Sequence, residues 1–340
     1  MRLGLIGCGN VAEFGHLPAI LSTPGLELTA LLDPVPGRAE DYARRFGGKA
    51  FTSSDAFFKE RLDVVTVTSS APAHLQNVLE AAKHGVHVMC EKPIAMTDRE
   101  GARMVAAMKK AGKEFFVGFC YRFSPVAQQI RRWVAEGVVG EIKCVRLVYI
   151  WGLHGQYMQD PDGKWIESPY YLGRMVEGGP LVDCGVHQID LARWWLRSDP
   201  ANWSSAGAWV TGYEAPDHVW LHMYHANGAT STVEVSYSYG HTARNPRNVF
   251  TYELIGEGGV IRYDRDGYIL EARHGQGVLT APGASEKNFP GMYAALVERL
   301  NGGDVEMPTA EDAIMATKIA RRAVESAIAS RTGPTPPVLP

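Results

Sequence analysis

Cysteine is scarce and never paired: Cys8, Cys90, Cys120, Cys144 and Cys184 are an odd number with no CxxC spacing. That pattern excludes a disulfide framework and a paired zinc knuckle, and it points to a reducing compartment, the cytoplasm. Long apolar runs are also missing. Even the apolar stretch 310–330 carries Glu311, Asp312, Lys318, Arg321, Arg322 and Glu325, so no membrane-spanning segment is expected. Charge of one sign is not in excess, with 34 Lys and Arg against 37 Asp and Glu for a net charge of -3. Without a basic stripe, nucleic acid is not an expected partner. The opening MRLGLIGCGN has no charged segment leading into an apolar one and a cleavage site, so secretion is not expected. What remains is 340 residues, 46% apolar and 21% charged, the composition of a folded chain of about two domains.

Residues 1–123 alternate short apolar runs with helical patterns, the rhythm of a doubly wound parallel sheet. Strands are expected near 2–6, 27–32, 63–67, 86–90 and 114–119, with helices over 38–46, 74–84 and 98–111. Gly15 and Pro18 fall inside the first helix and predict a kink or a division there. From residue 124 the rhythm changes. A helix at 125–136 leads to a strand at 142–150 and then to a loop rich in Gly, Pro and aromatics. Antiparallel strands follow over 203–272, with a hairpin at Asn227-Gly228. Helices at 290–301 and 309–330 and a short Pro-rich tail complete an α+β domain spanning 124–340. The overall class is α/β followed by an α+β domain with an open, mostly antiparallel sheet.

Three motifs carry chemistry. Gly7-Cys8-Gly9-Asn10-Val11-Ala12 is GxGxxA between a strand and a helix: the first Gly permits the turn, the second lets backbone approach a pyrophosphate, and Ala allows close helix packing. Asp33 ends the second strand, where a carboxylate can accept from a ribose diol and repel a 2'-phosphate, favouring NAD. Arg38, five residues on, leaves NADP open. Glu91-Lys92-Pro93 follows the strand ending at Cys90, at the carboxyl edge where such sheets bind ligands; Lys92 there is either a proton donor and acceptor near a nicotinamide or a solvated loop lysine. In the stretch from Gly178 to Asp190, helical spacing places Asp183, His187 and Asp190 on one face. That face is either a proton-transfer pair or a solvated stripe. Cys184 and His187 lack the further Cys or His that a zinc site needs, and no metal is expected.

Taken together, GxGxxA, Asp33, EKP at 91–93, Tyr121-Arg122-Phe123, DxGxHxxD at 183–190 and Gly256-Glu257-Gly258-Gly259 resemble the glucose-fructose oxidoreductase/inositol dehydrogenase/rhizopine-catabolism (Gfo/Idh/MocA) family over nearly the whole chain. The resemblance implies a dinucleotide-binding Rossmann domain and a substrate-binding, oligomerising domain, with substrate and nicotinamide meeting between them. It implies cofactor contacts at Gly7, Gly9, Asn10, Val11, Asp33, Arg38, Thr68, Ser69, His74, Glu91 and Lys92. Lys92, Asp183 and His187 are the implied catalytic groups: Lys92 touches cofactor and substrate, Asp183 orients, and His187 transfers a proton. One departure is visible in Thr68-Ser69-Ser70-Ala71-Pro72-Ala73-His74, where the family places Pro two residues earlier.

Substrate contacts are expected from Lys92, Arg122, His154, Trp165, Asp183 and His187, and Arg174 is a further candidate. Tyr149, Trp151, Tyr157, Trp165, Tyr170 and Tyr171 concentrate aromatics well above the chain's 10% average. Flat faces with polar edges suit either sugar rings or a subunit interface. The expected activity is NAD-dependent hydride transfer at a secondary alcohol or ketone of a sugar, polyol or cyclitol. Alternatives are a glycosidase using bound NAD on the same fold and a non-catalytic NAD(P)-binding sensor. A homodimer or homotetramer built through the second sheet is expected, because the strand from Thr230 to Tyr239 carries Tyr and Val on faces with few helices to cover them.

Overall fold

Apolar runs with no polar alternation make strands that are buried on both faces, and the first strand, β1 (Arg2–Ile6), has Leu3 and Leu5 fully buried. In the computed structural model, which describes residues 1–151, 157–160, 162–168, 171–237, 248–283 and 287–332, five more strands join it. These are β2 (Glu27–Leu32), β3 (Lys49–Phe51), β4 (Val64–Val67), β5 (His87–Cys90) and β6 (Phe115–Val117). All pair in parallel, in the order β3-β2-β1-β4-β5-β6. The order reverses between β1 and β4, which opens a crevice outside their carboxyl ends.

Between the strands lie α1 (Leu17–Ser22), α2 (Arg38–Phe46), α3 (Ser54–Phe57), α4 (Ala71–Lys83) and α5 (Asp98–Lys110). The first crossover is divided, as Gly15 and Pro18 predict: Ala12–His16 is wound as a π turn and α1 restarts with Pro18 in its first turn. Gly15 also has a packing reason, since a Cβ there would meet the Phe289 ring at 2.7 Å. α5 is capped reciprocally, Thr97 Oγ1 accepting from Glu100 N–H at 3.2 Å and Glu100 Oε2 from Met96 N–H at 3.0 Å. β6 stops at Val117 rather than 119, because the chain turns there, Phe119 N–H donating back to Val117 O at 2.8 Å; Gly118 in that turn lies against Glu91, whose Oε1 would be 2.6 Å from a Cβ.

The second unit opens with α6 (Pro125–Ala135), capped by Ser124, and β7 (Ile142–Ile150). A two-stranded hairpin, β8 (Tyr157–Gln159) and β9 (Trp165–Glu167), falls where only a loop is expected from the sequence. α7 (Tyr171–Val176), a π turn at Leu181–Gly185 and α8 (Val186–Leu196) follow. The remaining strands are β10 (Pro200–Ala208), β11 (His218–His225), β12 (Thr230–Ser236), β13 (Val249–Gly256), β14 (Gly259–Asp264), β15 (Ile269–His274) and β16 (Gly277–Thr280). They form an eight-stranded sheet in the order β10-β11-β12-β7-β13-β14-β15-β16, antiparallel except for β12 with β7. Gly228, at φ +87°, makes the β11–β12 turn.

One face of this sheet is core. Val219, Leu221, Val233, Val235, Leu147 and Tyr252 are buried on it, and α8 packs across β7 and β12. Trp195 of α8 meets Tyr252 edge-on at 5.1 Å and donates to Ala127 O at 3.1 Å. Each such buried side chain contributes about 1.5–3 kcal/mol. The reason for expecting an uncovered apolar face on β12 therefore needs correction: Val233, Val235 and Tyr237 are buried, and the other face carries Thr230, Thr232 and Glu234.

α9 (Phe289–Leu300) and α10 (Ala310–Ala329) complete the chain. The chain divides into Met1–Phe123 with Lys287–Met315, and Ser124–Glu286 with Ala316–Pro340. Lys287–Met315, expected in the second domain, returns to the first. Asn288 there donates to Phe123 O at 2.9 Å and caps α9 through Gly291 N–H at 2.8 Å.

Candidate active site

The crevice at the carboxyl ends of β1, β2 and β4 is a cavity of about 410 Å³, lined among others by Gly7, Gly9, Asp33, Arg38, Thr68 and Ser69. Gly7 is required there. Its φ is +100° and a Cβ would sit 2.5 Å from Ser69 N. Gly9 is different, since a Cβ would meet nothing within 4 Å, so its small size leaves open space over the backbone rather than relieving a clash. Asn10 and Val11 begin the helical turn beyond it, Asn10 exposed and Val11 half-buried. An open cradle over a helix start fits a pyrophosphate.

Asp33 is 3% exposed, and its carboxylate accepts from Cys8 N–H and Val35 N–H, both at 2.9 Å. Arg38 Nη1 lies 3.6 Å from Asp33 Oδ2 on a half-exposed side chain, so acid and guanidinium line the same cavity. Burial and the Asp33 charge push the Cys8 thiol up to about 12, which keeps it neutral and unreactive. Thr68 Oγ1 donates to Gly7 O at 2.6 Å and Asn77 Nδ2 to Ser69 Oγ at 2.9 Å, tying this loop to the glycine turn. Pro72, displaced from the family's position, sits in the first turn of α4, where its missing N–H costs nothing. His74 is buried, with Nε2 2.9 Å from Ser69 O and Nδ1 3.1 Å from Pro93 O. Burial holds its imidazole below the usual range.

Lys92, half-buried at the end of β5, precedes a cis peptide to Pro93. Glu91 faces inward: Oε1 is 2.9 Å from His16 Nε2, and Oε2 accepts Lys92 N–H at 3.1 Å. Burial pushes the Glu91 carboxyl up, but the His16 hydrogen bond and charge, with Lys92 nearby, outweigh it and hold the group below the usual range. Arg122, expected at the substrate, is buried, and its guanidinium pairs with Asp312 at 3.2 Å.

In the second unit Asp183 lies in the π turn and His187 in the first turn of α8. Every residue of α8 is buried, His187 and Asp190 to 5% and 1% exposure, which overturns the alternative of a solvated stripe. Gly185 lets this segment sit close on the sheet, because a Cβ there would be 3.2 Å from Val235. Asp183 Oδ2 accepts the Tyr237 hydroxyl at 2.5 Å and lies 3.3 Å from Arg174 Nε. Burial and the Asp183 charge push the Tyr237 phenol well up, so it stays a donor.

The aromatic stretch divides by role. Tyr171 is buried and donates to Asp217, which also accepts Val210 N–H at 2.8 Å and Thr211 N–H at 2.9 Å. Tyr149 is core and stacks on Trp151 at 6.0 Å. Trp165 is 39% exposed on β9. His154 and Tyr170 lie outside the described residues. His16, Tyr293 and Tyr237 are functional neighbours that the motifs do not announce. For Tyr237 the alternation Val233-Val235-Tyr237 was a usable signal of an inward face.

A 3-2-1-4-5-6 parallel sheet with a glycine turn at its switch point, followed by an open sheet, defines a dinucleotide-binding α/β protein with an appended domain. Residues 1–119 match the oxidoreductase family with an NAD-binding Rossmann fold, and residues 127–262 match the GFO/IDH/MocA C-terminal domain. The chain belongs to the Gfo/Idh/MocA family and is an NAD-binding oxidoreductase. It is 31% identical to D-apiose dehydrogenase of Paraburkholderia graminis over 286 residues, 82% of this chain and 72% of that one. With scyllo-inositol 2-dehydrogenase (NAD(+)) of Bacillus subtilis it shares 26% over 303 residues, 85% and 80% of the two chains. The structure of an Agrobacterium radiobacter oxidoreductase in complex with NAD+, L-tartaric acid and magnesium matches the fold with a TM-score of 0.81 at 24% identity, over 97% of each chain.

Proposed function

We propose that the protein is an NAD-dependent dehydrogenase that oxidises a secondary alcohol of a sugar, polyol or cyclitol, or reduces the matching ketone. In oxidation the hydroxyl proton passes to His187 while the carbon–hydrogen bond gives up its electron pair and the carbonyl forms. A bound nicotinamide supplies the acceptor for that hydride. Lys92 polarises the reacting oxygen, and Asp183, held by Tyr237 and Arg174, orients His187 and the substrate. Gly7, Gly9, Asn10 and Val11 hold the pyrophosphate, with Thr68, Ser69 and His74 shaping the cradle, and Asp33 takes the ribose diol. Trp165 offers an exposed ring to a sugar face. One observation carries this reading: His187 and Asp190 of DxGxHxxD sit on a helix that is buried throughout, with Asp183 in the turn just before it, so these polar groups are not a solvated helix face and are candidates for chemistry.

The experiment is an absorbance screen for NADH over cyclitols, aldoses and uronates, run with NAD and with NADP. Net reduced cofactor with one class of polyol, and faster with NAD, is the expected result. Substrate turnover without net NADH would instead select the glycosidase reading, and cofactor binding without turnover the sensor.

The assembly proposed is a homo-oligomer joined through the uncovered face of the eight-stranded sheet, which presents Trp220, Tyr224 and Ile255 at 38%, 51% and 52% exposure. Light scattering at micromolar concentration is expected to give a dimer or tetramer mass, and a strict monomer would remove this assignment. All five cysteines are free thiols, which supports a cytoplasmic setting. Among the described residues no helix is long and apolar enough to cross a membrane.

A further inference from the structure

Behind Lys92 the first unit holds a polar chain that reaches from the π turn to the returning segment. His16 is fully buried, with Nε2 2.9 Å from Glu91 Oε1 and Nδ1 2.7 Å from the Tyr293 hydroxyl. Tyr293 donates in turn to Thr66 Oγ1 at 3.0 Å on β4. The second Glu91 oxygen accepts the Lys92 amide at 3.1 Å. Phe289 closes the cluster from above, its ring 4.9 Å from the His16 ring.

Counting protons fixes the state of this chain. Tyr293 gives its only hydrogen to Thr66, so His16 Nδ1 must be the donor toward Tyr293. The remaining proton lies between His16 Nε2 and Glu91, and the pair is neutral as a unit whichever atom carries it. Other ionisable groups that feel Glu91 are His74 of α4, Cys90 of β5, Cys120 and Tyr293; Lys287 acts with Lys92 on Cys120. Burial pushes both thiols and the phenol up, and it pushes His74 down, so each stays neutral near pH 7 and the charges left around Lys92 are those of the His16–Glu91 pair and Lys287.

We propose that His16, Glu91 and Tyr293 form a buried positioning relay for Lys92, in which one shared proton on the His16–Glu91 pair fixes the EKP turn and sets how readily the Lys92 ammonium gives up its proton. None of the three is a catalytic residue; they act through Lys92. The proposal rests on the reading of Lys92 as the ammonium that polarises the reacting oxygen, and its test does not depend on turnover.

The full-length protein without added cofactor is reductively methylated with 13C-formaldehyde, and the Lys92 methyl resonance, identified by its loss in Lys92→Arg, is titrated by NMR. Glu91→Gln removes the nearby anion and should move the Lys92 titration to lower pH. His16→Gln keeps a donor for Glu91 but leaves the carboxylate unbalanced, and should move it to higher pH, each by roughly half a pH unit or more. The double variant should return close to wild type. Tyr293→Phe frees His16 to take the Nε2–H tautomer and should shift Lys92 upward by a smaller step, which keeps the test open if His16→Gln does not fold. Circular dichroism confirms folding of each variant. A Lys92 resonance that stays put, or moves the same way in Glu91→Gln and in the His16 or Tyr293 variant, overturns the relay. If Lys92 shifts as stated while no polyol is oxidised, the relay stands and the proposed reaction falls.

Discussion

Glu91 in the first unit and Asp183 in the second are both carboxylates in short polar motifs, yet the fold treats them differently. Glu91 is turned inward, balanced by one imidazole and one backbone amide, and its oxygens are taken up by His16 and Lys92 N–H. Asp183 keeps a 15% exposed side chain and is held from the side by a phenol and a guanidinium. A carboxylate neutralised by a buried partner can only position its neighbours, whereas one steadied by side chains and still open to solvent can meet a substrate.

The contrast is broken most severely at His187. His187→Ala should lower kcat by about 10²-fold to 10⁴-fold, the range for losing a general acid/base, with NADH affinity by fluorescence unchanged. Near-native turnover would move the proton path elsewhere. Smaller is the effect at Tyr237. Tyr237→Phe removes one hydrogen bond to a charged group, worth roughly 1.5 kcal/mol, and should lower kcat/KM by about tenfold with little change in Tm. If Asp183 acted only inside the fold, Tm would fall and the rate would not. At the cofactor end, Asp33→Ala should reduce the preference of kcat/KM for NAD over NADP several-fold, since the repelling carboxylate is gone. A native preference for NADP that Asp33→Ala leaves alone would shift the discrimination to Arg38.

Much of this was legible in one dimension. RLGLI, ELTALL and DVVTV are continuous apolar runs, and only a strand buried on both faces suits them. Gly7, Gly9 and Asp33 stand next to one another in the fold because they stand at consecutive strand ends in the sequence. β3 and the β8–β9 hairpin escaped because three-residue strands carry too few alternations to be seen. Gly15 reads as a helix breaker, but its contact with Phe289 depends on a segment more than 270 residues away. The same long return hides Tyr293 from His16 and Asp312 from Arg122. Asp183, His187 and Asp190 are visible as a spacing, but the burial of His187 and Asp190 is not, because periodicity alone cannot tell a solvated stripe from a polar group enclosed by a sheet.

Hydride transfer is the centre of the account, and isotope tracing tests it most directly. With the alcohol identified by the NADH screen and deuterated at the carbon to be oxidised, the account predicts one deuterium on C4 of each NADH formed and a slowed single turnover. Deuterium released to water, or NADH formed without label, would contradict it.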